Sequence, residues 1–425
     1  MQLRSSRRLR AALGAVAILA LALTGCSADD SFTYTPPTQV EGGLPDDTAA
    51  QLQAAVDQAL TVTGTPGAVV GVWVPWSGTW VTATGTQGAA GDTAVSTDMS
   101  FRVADVTRLM TCDVLYGMAD DNLIELNGSV ADHVPGVADM QDATLLDLCN
   151  GTAGIGSSVS HVQPYLFNTP GRVWAPLQLA SFGLGEKRSE LGVFRDSDAG
   201  YLMLGMALER ASGKGADDLI AEYVTDPLDL ASTVLPADES AAPAPEPALA
   251  GNYLPQIEGG YDCTAPIDIT ELSASVGYTD SGVVSTIADL GRYAQAEAAQ
   301  ALRANNAEPA RFGAPLPVSE KSPSWYQATG GAYLVGSMIG QQGTIPGYST
   351  AAYSDPATGF TVAVVMNNST AGSTATYLAW QLAAIASKAP AASGQTAPEF
   401  GLPFTAQQYQ DQIAATAVCA PPPAE

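Results

Sequence analysis

The strand-forming segments of this chain stand at its two ends, and that separation limits the folds open to it. Near the start, 68–74 and 78–84 read as strands joined by the hairpin turn Pro75-Trp76-Ser77-Gly78, and a third short strand is expected over 100–103. Strand signals return only at 332–338, 349–354 and 360–367, the last two split by the turn Asp355-Pro356-Ala357-Thr358-Gly359. Helices are predicted over 47–63, where Leu52, Val56, Ala59 and Leu60 recur at helical spacing, and over 375–387. The middle, 109–235, is helical and loop-rich, with its clearest helices at 201–211 and 216–223. The economical solution is an α+β fold. One antiparallel sheet is built from both ends of the chain and flanked by helices, with the middle as an all-helical lobe. No internal repeat is visible.

Composition supports a folded core: of 425 residues 46% are hydrophobic and only 14% charged, which excludes a disordered or collagen-like chain. Acidic residues outnumber basic ones 43 to 17. A surface so negative repels phosphate backbones, so nucleic acid is excluded as a partner. With His133 and His161 as the only histidines, a His-rich metal site is excluded as well.

Residues 1–10 carry four arginines (Arg4, Arg7, Arg8, Arg10) and no acid, and an apolar run over 11–23 follows. That run is shorter than the ~20 residues of a membrane span and fits a signal-peptide core. It ends in Leu23-Thr24-Gly25-Cys26, similar to the lipobox of bacterial lipoproteins. The resemblance implies a signal peptide over 1–25 and diacylglycerol on Cys26. The mature chain would be lipid-anchored on the extracytoplasmic face of the cell membrane, by Sec or Tat export. Losing those arginines leaves 13 bases (17 less 4) against 43 acids. A polar, Pro- and Gly-rich tether over 26–45, a folded domain over 46–388 and a Pro/Ala-rich extension over 389–425 complete the order, with an acidic proline-rich surface loop over 237–247.

Outside the cytoplasm, Cys112, Cys149, Cys263 and Cys419 suit two disulfides, in any of three pairings. None forms the C-x-x-C spacing of zinc or thioredoxin-like sites. The pairing expected is Cys112, in the helix begun by Asp105, with Cys149 in the next helical segment. That leaves Cys263 for Cys419.

The phrases Phe101-Arg102-Val103-Ala104-Asp105-Val106-Thr107-Arg108, Asp226-Pro227-Leu228-Asp229-Leu230, Gly282-Val283-Val284-Ser285-Thr286-Ile287-Ala288-Asp289-Leu290 and Ile345-Pro346-Gly347-Tyr348-Ser349 occur in this order. Together they resemble the serine beta-lactamase and DD-peptidase family, nearest its class C-like and esterase-like branch, over about 52–387. The resemblance implies a penicillin-binding-protein fold with a site between sheet and helical lobe. The family's first motif, S-x-x-K, places a nucleophilic hydroxyl at a helix start and an amine one turn later. Asp105 and Arg108 hold those positions here. A guanidinium does not release its proton to act as a base, and a carboxylate attacking an amide yields only a labile anhydride. Asp105 is instead expected to cap its helix and pair with Arg108 at i+3.

The second motif, Y-x-N, falls on Asp196, Ser197 and Asp198, which removes both the phenol and the amide. The third, K-T-G or H-x-G, falls on Gln341-Gln342-Gly343, keeping only the glycine. No lysine has a serine three residues before it and no G-x-S-x-G elbow occurs. Each histidine is expected in a surface or packing role. Asp196-x-Asp198 with Asp105 offers oxygens to a hard cation, yet in so acidic a protein such carboxylates read as solvated, and neither metal nor cofactor is expected. The sequence thus points to a fold that has lost its chemistry and binds a cell-wall component or an envelope protein partner, against the alternative of a hydrolase with a rearranged site. The pocket is expected to be lined by Asp105, Arg108, Asp196, Asp198, Gln341 and Gly343.

Overall fold

The computed structural model describes residues 34–88, 93–236, 240–303 and 308–419. The expected signal peptide, Cys26, the start of the tether and the first residues of the acidic loop lie outside them. Among the described residues no helix is long and apolar enough to cross a membrane.

Helix α1 (Asp46–Thr63) starts behind Pro45 with Asp46 and Asp47 in its first turn, where carboxylates meet the positive end of the helix dipole, and it stops at Gly64. Strands β1 (Gly67–Val74) and β2 (Gly78–Gly85) form the expected hairpin. Six strands from the far end of the chain complete the sheet. They are β3 (Leu316–Pro317), β4 (Tyr326–Thr329), β5 (Ala332–Val335), β6 (Met338–Ile345), β7 (Tyr348–Ser354) and β8 (Thr361–Met366). The order is β3-β4-β5-β6-β7-β8-β1-β2, antiparallel throughout, with Ala68 opposite Met366 where the two ends of the chain meet. One face packs on α1 and on α9 (Thr374–Ala386) through residues such as Val70, Val72, Val362 and Val364. The other face, with Val69, Ala352, Ala363 and Val365, shares a continuous core with the helical lobe. Burial on both faces explains the unbroken apolar runs of β1 and β8.

The lobe and its connections hold α2 (Thr107–Asp120), α3 (Leu145–Asn150), α4 (Val159–Asn168), α5 (Pro176–Gly185), α6 (Asp198–Ser212), α7 (Tyr278–Ser281) and α8 (Ile287–Ala298). Two disulfides are formed, Cys112–Cys149 between α2 and α3 and Cys263–Cys419 (Cα separations 5.7 and 6.0 Å), the pairing expected.

Three departures from the sequence reading matter for the site. The strand expected over 332–338 is two strands, because Gly336 at φ 66° turns the chain and Met338 opens β6. Strands β3 and β4 were missed, their Pro- and Ser-rich surroundings reading as loop. The extension over 389–425 is no bare Pro/Ala-rich tail. It carries α10 (Ala406–Ala415), capped by Thr405, which buries Tyr409 and Ile413 with Phe404 in the core beside α9.

Candidate functional site

Arg108 is 4% exposed, and its guanidinium is spent on three carboxylates. Its Nη2 lies 3.2 Å from Asp105 Oδ2, its Nη1 2.5 Å from Asp196 Oδ1 and its Nε 2.7 Å from Asp280 Oδ1. The Tyr201 ring lies 4.9 Å from the guanidinium carbon, adding a cation–π contact. Local structure sets this up. The short Phe101–Arg102 strand pairs with Val284–Ser285, and Thr107 Oγ1 accepts the Val283 N–H at 3.1 Å, which fixes the start of α2 against the segment that follows α7. The helix expected to open at Asp105 begins with a 3₁₀ turn, Ala104–Val106, so α2 itself starts at Thr107. The cap positions of the two elements fall on Val103 and Val106, not on Asp105. Its carboxylate turns to Arg108, where charge neutralisation outweighs a cap.

With three acids around one base, not every carboxyl holds its charge easily. Burial pushes Asp105 well above the usual carboxylate range; Arg108 pulls it down, and Asp280, Asp196 and Asp198 push it up again. Asp280 is raised to about 6, chiefly by burial, against the pull of Arg108. Burial alone would weaken the Arg108 proton, but Asp105, Asp196 and Asp280 outweigh it and tighten its hold. Arg108 is therefore held in its charged form.

Asp196 and Asp198 turn apart. While Asp196 meets Arg108, Asp198 Oδ1 accepts the Ser157 hydroxyl and the Ser158 N–H, each at 2.7 Å. They do not converge as metal ligands, and among the described residues no three His, Cys, Asp or Glu side chains are grouped to hold a metal ion.

On the sheet side, β5 pairs only with residues 338–340 of β6, which leaves the far half of β6 as a free edge facing the lobe. Gly343 sits there in direct contact with Asp105. A Cβ at that position would overlap the Asp105 carboxylate, so close packing here calls for a glycine. Gln341, expected to line the pocket, does not. Its Nε2 donates to Gly331 O at 2.7 Å and its Oε1 accepts the Gln342 N–H at 2.8 Å, so it is buried in the wall behind Arg108. Gln342 and Gly343 face the cleft instead.

That cleft has a volume of about 440 Å³ and lies between the free edge of β6, the start of α9 and helix α4. Its floor is the acid cluster; its far wall is apolar, with Val162, Leu166 and Phe167 of α4. Four carboxylates, Asp105, Asp196, Asp198 and Asp280, line it against one cation, Arg108. Neither histidine lines it. His161 lies 3.6 Å from Glu186 and stacks on Phe182, and His133 packs beside Gly128.

Asp280 and Ser157 are among the cleft residues that escaped the sequence reading. Asp280 stands two positions before Gly282, where one of the phrases that carried the resemblance begins, and a buried acid beside that phrase was the available signal. Ser157 offered none beyond an ordinary polar loop.

A sheet from both chain ends, a helical lobe and a cleft between them at the start of α2 define the penicillin-binding and beta-lactamase class of fold. The chain belongs to the Beta-lactamase family, whose sequence model matches residues 52–387. Among solved structures it is similar to a D-stereospecific amidohydrolase from Streptomyces sp., with a TM-score of 0.67 and 21% identity over 79% of this chain and 98% of that one. It is also similar to the D-amino acid amidase of Ochrobactrum anthropi SV3 (TM-score 0.65, 18% identity, 76% and 92% of the two chains). An octameric penicillin-binding protein homologue from Pyrococcus abyssi gives a TM-score of 0.64 at 16% identity, over 79% of this chain and 76% of that one. At these identities the likeness is one of fold.

Proposed function

We propose that this protein is a lipid-anchored, extracytoplasmic member of its family that has given up hydrolysis and acts by binding a cell-wall component or an envelope protein. The observation that carries the reading is Arg108 locked among Asp105, Asp196 and Asp280, with Asp105, Arg108 and Asp196 on the positions where the resemblance places a hydroxyl, an amine and a phenol. Anchoring rests on the lipobox-like run ending at Cys26. The cleft's excess of carboxylates favours neutral or cationic groups in a ligand and disfavours beta-lactams, which bring a carboxylate of their own.

A rearranged hydrolase is the second reading, favoured by Ser157 donating to Asp198 within the cleft. Against it, that hydroxyl oxygen also accepts the Val159 N–H at 3.2 Å at the start of α4, as a helix-start contact does, and a carboxylate is a far weaker base than a lysine amine. Incubation of residues 27–425 with a fluorescent penicillin, chromogenic esters and D-amino acid amides decides between the two. No covalent labelling and no turnover are expected. Labelling, or turnover abolished by Asp105→Ala or Ser157→Ala, overturns the first reading.

A further inference from the structure

Beside the cleft, and sharing Gln342, Ser373 and Thr376 with it, lies a second hollow of about 340 Å³ that the extension helix α10 closes on one side. Three half-buried rings, Trp325, Tyr326 and Tyr377, form its rim, and the amides of Gln342, Gln408 and Gln412 stand among them. Beneath, Trp380 and Tyr409 are buried. Trp325 meets Trp380 edge-on with centroids 6.1 Å apart, and Tyr377 stacks on Tyr409 at 5.9 Å. The buried rings are ordinary core under a helix. Those at the rim pack on their neighbours yet are only partly covered.

The lining is also uncharged. In a chain with 43 acids, and next to a cleft floored with four, no Asp, Glu, Lys or Arg among the described residues lines this hollow. A cationic ligand finds no carboxylate there and an anionic one no base. What the surface offers is partly covered aromatic rings together with the amides of Gln408 and Gln412, exposed on α10, which both donate and accept hydrogen bonds; the Gln342 amide is engaged, donating to Tyr326 Oη at 2.7 Å and accepting the Tyr353 hydroxyl. Apolar C–H faces ringed by hydroxyls that both donate and accept are the chemistry of a sugar. A proline-rich peptide, the other ligand for aromatic grooves, presents carbonyl acceptors and almost no donors, so it would leave the amide oxygens unmatched.

We propose that this hollow binds an uncharged oligosaccharide, laid across Trp325 and Tyr377 and hydrogen-bonded by Gln408 and Gln412. The inference stands apart from the silence of the main cleft and holds whichever way that question falls.

The test is a titration of intrinsic tryptophan fluorescence in residues 27–425, with an N-acetylglucosamine tetramer and a glucose tetramer as separate arms. A saturable response to one of them is expected, and the responding arm identifies the sugar. Trp325→Ala should weaken binding about tenfold, the scale of one lost stacking platform. Gln412→Ala should weaken it severalfold at an unchanged melting temperature. Should Trp325→Ala fail to fold, Gln412→Ala decides by calorimetry, its side chain lying exposed on α10. No response to either sugar up to millimolar concentration, binding indifferent to both substitutions, or a response to a proline-rich peptide in place of the sugars overturns the proposal.

Discussion

Three carboxylates sharing one guanidinium leave the start of α2 with more negative charge than it can neutralise, which together with burial raises the proton affinity of Asp105 and Asp280. Asp280 is raised to about 6 from an ordinary 3.8, chiefly by its burial. The native state therefore holds this proton more tightly than the unfolded chain does. Its contribution to stability is complete below about pH 4 and is lost as the pH rises through about 6. Urea denaturation across that window should show a falling midpoint, and Asp280→Asn, which carries no titratable proton, should lessen the fall, Asp105, raised likewise, supplying the remainder. An equal slope in the variant would place the titration elsewhere. The identities of Asp105, Arg108, Asp196 and Asp198 were legible in the sequence because each falls on a motif position. The Asp105–Arg108 pair was legible as well, from its i+3 spacing, but the partners from distant segments were not. Asp280 lies 172 residues from Arg108, and nothing in local spacing points from one to the other.

At the level of elements, α10 has the largest consequences. Its two buried residues, Tyr409 and Ile413, are one helical turn apart among glutamines and alanines, too sparse a stripe to stand out in a Pro-rich tail. Packing against α9 and the disulfide to Cys263 hold it in place, and the cross-link closes a sequence separation of 156 residues. Cys419→Ser should lower stability by about 2–5 kcal/mol, the usual worth of a native disulfide, with faster amide exchange concentrated in 406–415. Unchanged exchange there would mean that packing alone secures the helix. By contrast α1, β1 and β2 matched expectation within a residue or two, because their apolar spacing and bounding turns are local signals.

The whole molecule is organised by its sheet. Val69 of β1, Ala352 of β7 and Ala363 and Val365 of β8 share one core with Met110, Leu148 and Tyr201 of the lobe, so the helical middle borrows a wall from both chain ends. A fragment spanning 100–300 is expected to lack fixed tertiary packing, with little near-ultraviolet circular dichroism and rapid amide exchange. A sharp cooperative transition from that fragment would show a lobe that is self-sufficient.

The sequence by itself determined the order of the main elements, the union of early and late strands in one sheet, and the identities of Asp105, Arg108 and Asp196 at the start of α2 and beside it. Each of these is written in periodicity, turn chemistry or residue identity over a few positions. Only the tertiary structure decided that Asp280 joins Arg108, that Gln341 turns into the wall while Gly343 meets Asp105, and that α10 meets β4 and α9 around an aromatic hollow. Those contacts join segments up to hundreds of residues apart, and close packing of whole elements, which no local pattern encodes, selects them.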